Sequence, residues 1–172
     1  MARPPGRYRP KGPPTDTCPD CGAKVRGGPQ GCQRLFQQVL VREYSDPQVF
    51  RIHRLTGDAY SLQHPDRYCR SAKSMAAHLT GLCWVFDYNW DPNVGKALSR
   101  WLDGELAIER LPPPAFRGDL NILHVYNARG LEEYAQRARE WARSVWDAWA
   151  KHHQTARQWV RAALDTPPGS AT

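Results

Sequence analysis

Three cysteines near the front of the chain, in Cys18-Pro-Asp-Cys21-Gly and then at Cys32, constrain the fold more than any other feature. A Cys-x2-Cys turn directs two thiols at one point, and Gly22 just after it lets backbone amides close around sulfur. Three thiolates supply three of the four ligands that a tetrahedral Zn²⁺ takes. A redox pair is the competing reading, but thioredoxin-type pairs open a helix after a strand, and nothing strand-like precedes Cys18. The chain has five cysteines in 172 residues. That odd count argues against a closed disulfide framework and for a reducing, cytoplasmic setting. Zinc is the expected cofactor, held at Cys18, Cys21, Cys32 and one further ligand.

Helical periodicity organises the rest. Phe36, Val39, Leu40 and Glu43 share one face of a helix over 33–45. Asp46-Pro47 then reads as an N-cap followed by proline at the first helical position, opening a second helix to about His64. Ser71 or Ser74 caps a third, with Met75, His78, Leu79, Leu82 and Phe86 inward. A shorter helix carries Val94, Ala97, Leu98, Trp101 and Leu102. Residues 121–126, NILHVY, make the best strand candidate. Residues 131–165 form the longest helical pattern, with Trp141, Trp146, Trp149 and Trp159 on or beside its apolar stripe. Unbroken it would run about 50 Å, so a kink or a frayed end is expected. The fold class is therefore mainly α: a compact helical bundle with an N-terminal Cys-rich metal-binding loop and at most one short strand pair. Residues 1–16 read as a disordered basic Arg/Pro tail, 17–165 as one helical domain, and 166–172 as a C-terminal tail.

The register of the first two helices selects the fourth ligand. Packed antiparallel about the turn near Asp46, they bring Cys32 level with Tyr60 to His64. His64 is favoured over Cys69, which lies in the loop just beyond. The same reflection about the next loop brings His78 level with Asp58. A buried carboxylate at Glu43 needs a partner. Glu43, His53, Asp58 and His78 are therefore candidates to converge between three helices, where carboxylates and imidazoles build metal or catalytic sites. That set supports an alternative reading: a metal-dependent enzyme acting on a small molecule, with a second metal such as iron or manganese.

Charge and absences narrow the classes. Net charge is +7, and residues 1–31 carry six basic against two acidic side chains, or +4 of it. A basic arm binding nucleic acid is a second alternative, less favoured because no aromatic-rich basic groove accompanies it. No apolar run is long enough to span a membrane, and the first residues lack the apolar core of a secretory leader. No Gly-x4-Gly-Lys loop, GxGxxG, HExxH or GxSxG occurs, so common nucleotide-dependent and serine-hydrolase chemistries lose support. An uncovered tryptophan stripe on the last helix would call for oligomerisation.

The segments CPDCG, GCQRLFQQVLVREYSD, HRLTGDAYSLQHP, SAKSMAAHLTGLC and WARSVWDAWAKHH together resemble a family of bacterial proteins catalogued only as a domain of unknown function. The resemblance spans roughly residues 17–160. It implies that Cys18, Cys21, Cys32, Glu43, Asp58, Tyr60, Gln63, His64 and His78 belong to one pattern, and it implies no particular activity.

Overall fold

The computed structural model describes residues 16–167. The Arg/Pro tail and the C-terminal tail expected from the sequence lie outside those residues, apart from Asp16, Thr166 and Pro167. Asp16 is folded into the cysteine loop, where its carboxylate accepts the Gly27 amide at 3.1 Å.

Among the described residues nine α-helices follow in order: α1 Gly28–Ser45, α2 Pro47–Phe50, α3 His53–Gln63, α4 Pro65–Tyr68, α5 Ala72–Asp87, α6 Pro92–Asp103, α7 Ile122–Tyr126, α8 Gly130–Ala148 and α9 His153–Asp165. Side-chain caps set several starts. Asp46 accepts the Gln48 amide, Ser71 the Ser74 amide, Asp91 the Asn93 amide and Asn121 the Leu123 amide, each satisfying a donor that the first helical turn leaves open. The α5 helix is apolar on most sides and packs on α3, α6, α8 and α9. The α3 helix lies between α5 and α8.

Several expected boundaries move. Helix α1 starts five residues earlier than its periodicity indicated. Gly27 and Gly28, both at positive φ, turn the chain directly into the helix, so Cys32 sits on α1 and not in the loop. The second expected helix is two, α2 and α3, separated by a turn at residues 51–52. The NILHVY segment is helix α7. Asn121 caps it, and Ile122, Val125 and Tyr126 bury one face at helical spacing, which a strand of the same letters would have split between two faces. Among the described residues β-pairing is confined to one bridge, Thr17 with Lys24.

Of a kink and a frayed end, the long C-terminal pattern takes the kink. A 3₁₀ turn at Ala150–His152 separates α8 from α9. The His153 ring stacks on Trp146 with centroids 3.7 Å apart, and its Nε2–H donates to the Trp146 carbonyl. The break lets α8 pack on α3 while α9 turns onto α5 and α6. Trp141, Trp146, Trp149 and Trp159 are all buried in the core. The stripe is covered within the chain, and the expectation of a partner across it loses its basis. Among the described residues no helix is long and apolar enough to cross a membrane.

Candidate metal centre

The site forms where the cysteine loop meets α1 and the α3–α4 junction. In the loop, the Gly22 amide donates to Cys18 O at 2.8 Å and the Cys18 amide to Ala23 O at 2.9 Å. Gly22 takes φ +74° with open space around it, so the left-handed backbone, not crowding, calls for glycine there. Cys18 and Cys21 come from this turn and Cys32 from α1. His64 sits between helices, ending α3 and preceding Pro65 at the start of α4. Arg117 fastens the loop from outside, donating to Asp20 Oδ1 at 3.0 Å and to the Gln63 carbonyl at 3.1 Å.

All four side chains are buried, and their ligand atoms lie within 4.8 Å of one another. His64 Nε2 is 3.6 Å from Cys18 Sγ and 3.6 Å from Cys32 Sγ, and Cys21 Sγ is 3.6 Å from Cys32 Sγ. A tetrahedral zinc with the usual bond lengths needs S···S edges of about 3.8 Å and S···N edges of about 3.5 Å. These four residues could hold a metal ion. The ring of His64 is set for ligation: Nδ1–H donates to the Tyr60 carbonyl at 2.7 Å, leaving the Nε2 lone pair facing the sulfurs. Tyr60 stacks on His64 and, on its other face, on Phe36 at 3.8 Å. Its hydroxyl donates to Cys32 Sγ at 3.7 Å. Burial, then the Cys32 charge, push that hydroxyl's pKa upward, so it stays a donor.

The sulfurs compete for charge at this spacing. Hydrogen bonds from Cys21 and Cys32 pull the Cys18 thiol far below its ordinary value, while the same contact with Cys18 holds Cys21 far above and lifts Cys32 to about 12. A divalent cation removes the conflict, because it favours the thiolate at every sulfur it binds.

Cys69, the competing fourth ligand, is elsewhere. Its thiol donates to the Ser61 carbonyl at 3.5 Å, and burial pushes it up to about 12. The two candidates therefore separate cleanly. We expect Cys69→Ser to keep the metal content of the parent protein and His64→Ala to lose most of it, measured by elemental analysis after gel filtration. Retention by His64→Ala would remove the imidazole from the ligand set.

Glu43, His53, Asp58 and His78 do not converge on one point. Among the described residues they form two separate pairs, because Glu43 and Asp58 face different neighbours of α3. Glu43, with no exposed surface, accepts from His53 Nδ1 at 2.7 Å, Thr56 Oγ1 at 2.5 Å and the Tyr134 hydroxyl at 2.5 Å, tying α1, α3 and α8 together. Asp58 is buried; its Oδ1 accepts from His78 Nδ1 at 2.8 Å, and its Oδ2 forms an ion pair with Arg54 Nε at 2.8 Å. Gln63 is fully used, donating to the Arg117 and Leu120 carbonyls and accepting from Trp141 Nε1. Thr56, Tyr134, Arg54 and Arg117 were not singled out from sequence. Tyr134 falls on the apolar face of the 131–165 pattern, and periodicity gives no sign of what its hydroxyl meets.

The Asp58 pair depends on close helix approach. A Cβ at Gly81 would overlap the Asp58 carboxylate and fall 2.5 Å from Arg54 Nη2. Gly81→Ala should therefore push α5 off α3 and cost about 1–3 kcal/mol, the usual range for overpacking. Urea unfolding checks this, and unchanged stability would show that the two helices separate freely.

The family of unknown function DUF5946 matches residues 16–150. The chain belongs to that family. No curated protein and no solved structure matches it. The DUF5946 match starts at Asp16, where the described chain enters the cysteine loop, and ends beside the break between α8 and α9. It therefore takes in all four clustered residues and both carboxylate–imidazole pairs.

Proposed function

We propose that this DUF5946 protein is a small cytoplasmic zinc protein, in which one Cys18/Cys21/Cys32/His64 zinc staples the N-terminal loop to the helical bundle. The observation that carries the reading is His64: its Nε2 is equidistant from two thiols, while Nδ1 is committed to a backbone carbonyl. Four protein ligands in a buried cluster leave no position for substrate or water, which is the pattern of a structural zinc. Three thiolates with one imidazole suit zinc better than the oxygen-seeking cations. Five cysteines without a disulfide support a reducing compartment.

Elemental analysis of tag-free protein purified without added metal tests the reading. The expected result is one zinc per chain. No metal, with all five thiols titratable, would overturn it, and one iron per chain would replace zinc.

Metal-dependent chemistry at Glu43, His53, Asp58 and His78 is a second reading, supported by the two carboxylate–imidazole contacts. Metal beyond one ion per chain would favour it. The nucleic-acid alternative rests on basic residues that lie mostly outside the described part of the chain.

A further inference from the structure

A groove of about 640 Å³ opens between the second half of α8 and the 116–120 stretch. Phe116, Leu120 and Ala148 supply its apolar lining. Phe116 is 59% exposed, a large apolar side chain left without cover. The wall of the groove is fixed by its backbone. Ser144 Oγ on α8 accepts the Asp119 and Leu120 amides at 2.8 and 3.2 Å. Gly118, at φ +106°, passes so close that a Cβ there would fall 2.8 Å from the same oxygen. The groove is therefore shaped before anything enters it, which lowers the ordering cost of binding.

Its charge is opposite to that of the chain. Asp119, Glu140 and Asp147 line the groove against a single cation, Arg143, on a protein of net charge +7. Glu140 is paired with His124 and Gln136. The Asp119 carboxylate has no partner among the described residues. Asp147 meets Arg143 at 3.9 Å, and the Arg143 guanidinium itself lies over the Phe86 ring, 3.9 Å from its centroid. Two exposed carboxylates thus flank an exposed aromatic ring with little to neutralise them.

We infer that this groove holds the chain's own residues 1–15, with Tyr8 on Phe116 and with Arg7 and Arg9 at Asp119 and Asp147. Those residues lie outside the described part of the chain. They carry Arg3, Arg7, Arg9 and Lys11 and no acid, with five prolines. Arginine's planar fork matches carboxylate oxygens. Proline-rich segments dock on aromatic-lined grooves, and proline's φ is fixed beforehand. The reach is sufficient. The described chain begins at Asp16, and Asp20, at most about 14 Å further on, is ion-paired at 3.0 Å with Arg117, the residue next to Phe116. Arg7 precedes Asp16 by nine residues, enough for about 30 Å of extended chain. A segment tethered at such range is presented at about millimolar effective concentration, so exposed charge pairs and one ring contact are enough to seat it.

Photocrosslinking tests this in the full-length, metal-loaded protein carrying Phe116→p-benzoylphenylalanine. After irradiation and digestion, mass spectrometry should find position 116 joined to a peptide from residues 1–15, in a product of single-chain mass. Changing Arg3, Arg7, Arg9 and Lys11 together to glutamine in the same full-length protein should give about tenfold less of that product, as for the loss of two or three exposed charge pairs. Added salt should act in the same direction. The reciprocal variant Tyr8→p-benzoylphenylalanine should reach residues 116–120 or 140–148, and it decides the matter if the first variant does not fold. A product of two-chain mass through residues 1–15 would give the groove to a second copy and overturn the inference. So would the absence of any crosslink to residues 1–15, or a yield that the glutamine changes leave unaltered.

Discussion

Replacing Cys21 by serine is expected to remove the metal and most of the order of the cysteine loop together. Cys21 shares the cluster with two other thiols and one imidazole, and a neutral hydroxyl is a poor substitute for thiolate on zinc. A ligand that binds only the folded state stabilises it by about 4 kcal/mol when free ligand exceeds its dissociation constant a thousandfold. We therefore expect the variant to lose about 3–4 kcal/mol in chemical unfolding, on the same linkage. The bundle, whose core lies mainly among α3, α5, α8 and α9, should stay helical by circular dichroism. Chelation of the parent protein should reproduce the change. Lowering the pH should act in the same direction, since protons compete with the metal for the thiolates and His64. Unaltered metal content together with unaltered unfolding would defeat the staple.

The second large effect belongs to Glu43. Its carboxylate accepts hydrogen bonds from three side chains on two other helices. In Glu43→Ala, the Tyr134 hydroxyl loses its acceptor in a dry interior, where an unsatisfied group costs about 1–3 kcal/mol, while Thr56 Oγ1 keeps the His53 carbonyl at 3.1 Å. His53, being part-exposed, can turn to water. A total near 3 kcal/mol follows once a small cavity is added. Glu43→Gln keeps the shape but points an amide donor at another donor, and should cost about half as much. Burial, then the charge on Glu43, push the Tyr134 hydroxyl upward, so it remains a donor and cannot compensate by ionising. Urea unfolding of both variants checks this. A loss from Glu43→Ala as small as an ordinary surface change, about 0.5 kcal/mol, would show that the three donors find other partners.

The parts of this architecture legible in the sequence were those fixed by local rules. Proline and aspartate punctuate the helix starts, the Cys-x2-Cys turn is written out in four residues, and reflection about short turns correctly set Cys32 beside His64 and Asp58 beside His78. The misses have two physical causes. Some were local signals read at the wrong period: Asn121 is an N-cap, and NILHVY buries positions three and four apart. Others were contacts between distant segments. Glu43 meets Tyr134 across 91 residues and Asp20 meets Arg117 across 97. Periodicity shows that a face turns inward, but not which helix arrives there. That is why Glu43 and Asp58 could be read as converging when they serve different interfaces.

The spacing of the clustered residues also bears on the order in which the molecule assembles. Cys21 and Cys32 are 11 residues apart, whereas Cys18 and His64 are separated by 46. Closing the longer loop costs about 1 kcal/mol more chain entropy than the shorter one. The three thiols are thus positioned to gather an ion while α3 is still being synthesised, and His64 completes the shell afterwards. Metal supply during translation, and not only in the finished cell extract, would then influence how much of the chain reaches its folded form.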